Sequence, residues 1–383
     1  MRASDFVDAL ADGLGADFFA GVPDSLLRPL TDELSDRFGT DGAQHVVAAD
    51  EGGAVALACG HWLATGRPGV VYMQNSGIGN AVNPLCSLTN EAVYAVPTFL
   101  VVGWRGEPGV HDEPQHVFQG QISRELLECV GVRVLVLDCR TTMEELRAFV
   151  EEARSLHAEG KAAAVLVRKG ALTREGTHAY PGAATPLTRE RAVEVISAAL
   201  PADAAVVSTT GKLSRELFEI REARNEGHGR DFLTVGSMGH SCMIALGVAL
   251  AQPGRPVVVM DGDGAVIMHT GALAIVGQRA PRRFLHVLVN NGAHETVGGM
   301  PTASPGIDYQ ALARSLGYVA AARAATEDEL SRAVPELLAA GGPALLEVVT
   351  NTASRADLGR PTTTAYDNGR AFMAYLTKGD ARD

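Results

Sequence analysis

The segment that decides the fold runs from Pro256 to Thr296, PVVVMDGDGAVIMHTGALAIVGQRAPRRFLHVLVNNGAHET. Two apolar, β-rich runs end at Asp261-Gly262-Asp263-Gly264 and at Asn290-Asn291, with 25 residues between Gly264 and Asn290. They read as buried parallel strands whose ends bring polar groups to the carboxyl edge of a sheet, where open α/β folds bind ligands. One carboxylate, one amide oxygen and a turn carbonyl make a hard, oxygen-only set suited to Mg²⁺, which keeps diphosphate oxygens as its other ligands. Gly262 and Gly264 allow backbone to approach phosphate and leave N–H groups free to bind it. The simpler alternative is a pair of strand-end turns, since DG and NG are common turn dipeptides. A dinucleotide loop fits poorly, because G-x-G-x-x-G fails at Ile267.

Outward from this segment, apolar runs predict strands at 46–49, 70–74, 98–103, 133–137 and 163–168, then at 204–208, 256–261, 285–290 and 343–349. They alternate with helical patterns, the signature of parallel sheets with crossover helices. The stretch 170–188, GALTREGTHAYPGAATPLT, lacks hydrophobic periodicity and reads as the linker. Thr142-x-x-Glu145 and Thr326-x-x-Glu329 both look like capping boxes opening a helix that precedes an apolar strand. That repetition suggests two similarly folded domains, 1–180 and 181–383. The polar tail after 350 either folds over a site or frays.

With 383 residues, 46% of them apolar, the chain can bury a core in each domain. No apolar run nears the roughly 18 residues of a membrane span, and the acidic start MRASDFVDALADGLG is unlike a signal peptide. Five scattered cysteines without a CxxC suggest reduced thiols and a cytoplasmic protein, with Cys59 and Cys242 as core residues. A formal charge of −12 argues against nucleic acid or anionic membrane as partner. An anionic substrate therefore needs a local cationic pocket.

Four further stretches carry polar groups beside small residues. Ser208-Thr209-Thr210-Gly211-Lys212 follows a strand, Gly236-Ser237-Met238-Gly239 precedes an apolar helix, and Glu51 opens an Ala/Gly-rich helix. Gln74-Asn75-Ser76-Gly77-Ile78-Gly79-Asn80 follows a strand in the first half. A Glu at a helix N-terminus is also favoured by the dipole alone, and a lone Met near a helix start is more often core.

The GDG-plus-NN pair, with Glu51-x-x-Ala54-x-x-x-Ala58-x-Gly60 and the Gln74–Asn80 loop, resembles the thiamine-diphosphate-dependent enzymes. The resemblance implies an α/β chain of two similar cofactor-binding domains, each a mainly parallel sheet with helices on both faces. A pyrimidine-binding domain (1–180) would be joined to a diphosphate-binding domain (181–383) with no middle domain. It implies thiamine diphosphate and Mg²⁺ as cofactors, with Asp263, Asn291 and the Ala293 carbonyl on the metal. Gln74, Ser76, Thr210, Gly211, Ser237, Met238, Gly262, Gly264 and Ala265 would contact the cofactor, Met238 as a wedge that bends it. Ala265 and Ile78 depart from the family's usual Ser and Pro. Glu51 would hydrogen-bond N1′ of the pyrimidine and drive the tautomer that activates the cofactor.

Within that group, FFAGVPDSLLRPL, WRGEPGVHDEPQH, TTGKLSREL, NNGAHETVGGMPT and DLGRPTT are similar to the phosphonopyruvate decarboxylases, with the sulfopyruvate decarboxylases next. This implies decarboxylation of a small anionic 2-oxo acid, 3-phosphonopyruvate, in phosphonate and antibiotic biosynthesis. Asp24 with His111 or His116 would relay protons. Arg105, Lys212 and His294 are the candidate substrate contacts, with Arg28, Arg215 and Arg360 as weaker ones. The resemblance also implies a homo-oligomer with active sites between subunits. Alternatives are a sulfopyruvate decarboxylase, a broader 2-oxo acid lyase, a non-catalytic cofactor-binding relative and a nicotinamide dehydrogenase.

Overall fold

The computed structural model describes residues 1–40 and 42–377. It contains two compact units: Met1–Tyr180 with Val297–Pro301, and Pro181–Thr296 with the chain from Thr302 onward. The last six residues of the expected second domain, 378–383, lie outside the described residues.

The first unit is built on six strands: β1 (Phe19–Gly21), β2 (His45–Val47), β3 (Gly69–Gln74), β4 (Thr98–Gly103), β5 (Arg133–Leu137) and β6 (Ala163–Val167). The second has β7 (Ala205–Ser208), β8 (Asp231–Leu233), β9 (Val257–Gly262), β10 (Phe284–Asn290), β11 (Ala320–Ala324) and β12 (Ala344–Val349). All pairings within both sheets are parallel. The orders are β2-β1-β3-β4-β6-β5 and β8-β7-β9-β10-β12-β11. Counted from the start of each unit, both read 2-1-3-4-6-5, so the two units share one topology.

Each central strand is buried on both faces, which is why its sequence is a continuous apolar run. In β3, Val70 and Tyr72 pack into one core while Val71 and Met73 pack into the other. In β9, Val258 and Met260 face one core and Val257 and Val259 the other. Helices cover both faces. Thr142 and Thr326 do form reciprocal capping boxes, opening helices Met143–Ala158 and Glu327–Leu338.

Three strands escaped the sequence reading: β1, β8 and β11. Their physical disguise differs. β8 begins with Asp231, which reads as a loop residue but is buried because the fully buried Arg221 pairs with it at 2.9 Å. The Ala-Ala-Ala-Arg-Ala run of β11 has no β-branched residue, so propensity gives it away to a helix. The expected linker is also too long. Ala171 and Leu172 belong to the first core and Leu187 to the second, and Tyr180 donates to Ser35 at 2.8 Å. The described part of the tail, residues 351–377, packs on the second unit. Asn351 donates its backbone N–H to Leu187 at 2.9 Å, and helix Ala365–Thr377 lies on edge strand β8, where the Asn368 amide bonds Leu233 and Asp231. This covers an otherwise open sheet edge. Among the described residues, no helix is long and apolar enough to cross a membrane.

Candidate functional site

In a parallel sheet of order 2-1-3-4 the chain reverses direction between strands 1 and 3, and the loops leaving those two strands part to open a crevice. Each unit has such a point, between β1 and β3 and between β7 and β9. The predicted site residues gather at both.

In the first unit, Asp24 follows β1 and Gln74 ends β3. The wholly buried Asp24 carboxyl accepts from the Gln74 side chain at 2.7 Å and from the Leu26 N–H at 3.2 Å. The Gln74 amide oxygen accepts in turn from the Ser76 hydroxyl at 2.7 Å. Gly103, at the end of β4, is required here, since a Cβ would lie 2.3 Å from an Asp24 oxygen. Burial raises the Asp24 carboxyl above its ordinary pKa, opposed by Gln74 and by the Arg105 charge. Arg105 is gripped by Asp112 through two bonds, at 2.5 and 2.7 Å, and reaches Ser25 at 3.3 Å. Although burial opposes it, hydrogen bonding from Arg105 holds the Asp112 carboxyl well below the usual range. Asn75, quoted but given no role in the sequence reading, clamps the same loop: it donates to the Arg105 carbonyl at 2.8 Å and accepts from its N–H at 3.1 Å.

The two candidate histidines part company. His116 is buried on helix Pro114–Cys129, its pKa lowered by burial and then by Arg105, and its Nδ1 has no hydrogen-bond partner among the described residues. His111 is exposed on the preceding loop. The geometry favours His116.

Glu51 opens helix Glu51–Thr65 after the Asp50 cap, which accepts from Gly53 at 2.8 Å. Its side chain is buried and accepts from Asn80 at 2.8 Å. Gly77 sits so tightly on the carboxyl that a Cβ would stand 2.3 Å from it. Burial raises the Glu51 pKa, opposed chiefly by Asn80, so the neutral acid is favoured. A buried carboxylic acid presented at a helix start can exchange a proton with a ring nitrogen.

In the second unit, Asp263 follows β9 and is buried. It accepts from the Thr302 hydroxyl at 2.5 Å, and burial pushes its carboxyl up to about 6. No Lys or Arg pairs with it among the described residues. A buried carboxylate without a cation is costly, and a divalent ion would remove that cost. Asn291 is buried at the end of β10, and Ala293 follows it. Among the described residues no three His, Cys, Asp or Glu converge as a metal cluster. A site of one carboxylate, one amide and one carbonyl has no such signature.

The Gly236–Gly239 turn is left-handed at Gly236 (φ 69°), Ser237 (φ 45°) and Gly239 (φ 81°). It places the Met238 Cε about where Gly264 passes, 3.5 Å from where a Cβ would stand, with the His294 ring equally near at 3.3 Å. The Met238 thioether therefore lies beside Gly264. Desolvation pushes His294 down to about 4. Thr210 accepts from the Gly236 N–H at 3.1 Å, and Gly211 has φ 103°. Ala265 is buried on the same turn. Lys212 is held by Glu295 at 2.8 Å and Ser354 at 2.6 Å. Of the weaker candidates, Arg28 lies 3.4 Å from Asp32, and Arg215 donates to the Gly359 carbonyl at 2.6 Å.

Comparison with known proteins bears on both units. Residues 2–127 match the family described as thiamine pyrophosphate enzyme, N-terminal TPP binding domain, and residues 209–348 match its C-terminal TPP binding domain. A phosphonopyruvate decarboxylase from Streptomyces viridochromogenes is 39% identical, covering 98% of this chain and 95% of that one. One from Streptomyces hygroscopicus is 37% identical, over 99% and 94% respectively. A sulfopyruvate decarboxylase from Methanosarcina acetivorans is 25% identical over 79% of each chain.

Proposed function

We propose, from the premise that this chain belongs to the phosphonopyruvate decarboxylase family of thiamine pyrophosphate enzymes, that it converts 3-phosphonopyruvate to phosphonoacetaldehyde and CO₂, a step of phosphonate biosynthesis. The observation that carries this is near-full-length identity of 39% to a phosphonopyruvate decarboxylase. The more distant sulfopyruvate decarboxylases support sulfopyruvate as a second reading. CO₂ release from phosphonopyruvate with and without thiamine diphosphate tests the assignment directly; no release in the presence of cofactor would remove it.

When bound, thiamine diphosphate supplies the electron sink that loss of CO₂ from a 2-oxo acid needs. The chain's residues would divide the remaining work. Glu51 holds a proton against N1′, shielded from water by Gly77 and oriented by Asn80. Asp263, the Asn291 side chain and the Ala293 carbonyl hold Mg²⁺, while Thr210 and the backbone of Gly211, Gly262, Gly264 and Ala265 face the diphosphate. Met238 and Ser237 support the cofactor from the turn above, with Gln74 and Ser76 on the pyrimidine side. Asp24, its carboxyl raised by burial, and His116 hand on the proton that replaces CO₂. Arg105, Lys212 and His294 receive the phosphonate.

Mg²⁺ with thiamine diphosphate should raise Tm, because only the folded state offers the site. At ligand a hundred times Kd the gain is about 2.7 kcal/mol, or roughly 3 °C for cooperative unfolding of a chain this long. Asp263→Ala should abolish the shift; a full shift in that variant would reject the metal assignment.

Glu51 and Asp263 belong to different units, and leucines 57 and 63, on the helix that Glu51 opens, are 40% and 69% exposed. We extend the proposal to a homo-oligomer with active sites between subunits, in which a neighbouring subunit would cover these leucines. Mixing inactive Glu51→Gln with inactive Asp263→Ala chains should restore activity through hybrid sites. Hybrids that form yet stay inactive would place both residues on one chain.

A further inference from the structure

Glu295 has no part in the chemistry assigned above, yet it stands at the junction of the second crevice. In the sheet, β9 lies between β10 and β7. Asp263 leaves the end of β9, Asn291 follows the end of β10, and Lys212 opens the helix after the Thr209-Thr210-Gly211 turn that leaves β7. Glu295 reaches across: one carboxylate oxygen accepts from Lys212 at 2.8 Å, and the other pairs with Arg189 and accepts from the Asn291 amide N–H at 3.4 Å. Arg189 is itself buried and held by Glu216 through two bonds of 2.7 Å. The four charges, two positive and two negative, cancel, so the cluster can remain largely buried. The Asn291 amide is held at both ends: Nδ2 donates to Glu295 at 3.4 Å, and Oδ1 accepts from the Ala293 N–H at 3.0 Å.

Resting on the cofactor reading above, we propose that Glu295 is a positioning residue, a strut across the end of β9 that fixes the separation of the two flanking loops and, together with the Ala293 N–H, holds the Asn291 amide that would face Mg²⁺. It touches neither substrate nor reacting atoms. Supports of this kind typically alter metal affinity about 10–100-fold.

The test is Mg²⁺ titration of the thiamine-diphosphate-dependent thermal shift, using full-length protein. Glu295→Ala should raise the half-saturating Mg²⁺ concentration at least about tenfold. Glu295→Asp, which keeps the charge but is one methylene too short to span the crevice, should raise it as well. Glu295→Gln keeps length and an acceptor and should recover part of the affinity. Half-saturation within twofold of wild type in both the Ala and Asp variants would overturn the strut. If the Ala variant does not fold, the Asp variant decides alone. A wild-type protein that shows no Mg²⁺-dependent shift would instead remove the cofactor reading beneath it.

Discussion

Glu51→Gln is expected to fold, to bind thiamine diphosphate and to lose turnover by about 10²–10⁴-fold, the range for removal of a general acid–base group. Gln is close to isosteric and can still accept from Asn80, which bonds Glu51 at 2.8 Å. It has no ionisable proton to exchange with N1′. Hydrogen–deuterium exchange at the thiazolium C2 of bound cofactor should slow in parallel, separating loss of activation from loss of substrate binding. Exchange at the wild-type rate would show that another group activates the cofactor.

The same variant carries a pH signature. Burial raises the folded-state pKa of Glu51 above its unfolded value near 4.3. Between those values the unfolded chain releases a proton that the folded chain keeps, so the stability contributed by the neutral acid is full below the unfolded pKa and is lost as pH rises through the folded one. Apo Glu51→Gln should therefore gain on apo wild type as pH rises from about 4. Parallel stability curves would mean that the Glu51 carboxyl is not perturbed.

Phosphonopyruvate should exceed pyruvate in kcat/KM by at least about 100-fold, equivalent to roughly 2.7 kcal/mol. One or two charge-assisted contacts to the phosphonate can supply that difference. Binding energy at a remote anion assists the reacting end, so the truncated substrate should lose rate as well as affinity. Sulfopyruvate, with one charge fewer at neutral pH, should fall between. The structure sharpens the mutant series, because both leading anchors are already paired, Arg105 with Asp112 and Lys212 with Glu295. Arg105→Ala removes a cation and also exposes the Asp112 carboxylate to the incoming dianion. It should erode the preference more than Arg105→Gln, while the slow pyruvate reaction is spared. Equal rates on pyruvate and phosphonopyruvate would sink the substrate assignment and leave the cofactor site standing. Faster turnover of sulfopyruvate would promote the second reading.

Central strands were legible because they depend on local pattern, and the candidate cofactor residues were nominated from the same kind of pattern. A strand buried on both faces must be a continuous apolar run, and a crevice at its end needs glycine beside a carboxylate. Partners supplied from afar were not legible. Thr302, which bonds Asp263, is 39 residues away, and Asn80, which bonds Glu51, is 29 away. Burial separates His116 from His111, and residue type is blind to burial. Edge strands β8 and β11 were missed because packing and a buried Arg221–Asp231 pair override their weak propensity.

By itself the sequence determined the class of fold, the doubled architecture and the identity of the two buried acids, Glu51 and Asp263. These follow from hydrophobic periodicity, turn chemistry and spacing along the chain, all local quantities. Only the tertiary structure decided the shared 2-1-3-4-6-5 strand order, which carries both residue clusters to a topological switch point. It also decided that Arg105 and Lys212 meet carboxylates and that Glu295 spans the second crevice. The Glu295 contacts join residues 83 and 106 positions apart, and even the Arg105–Asp112 pair, seven apart, depends on how the loop after β4 folds back; the strength of a charge is set by what faces it, not by what precedes it.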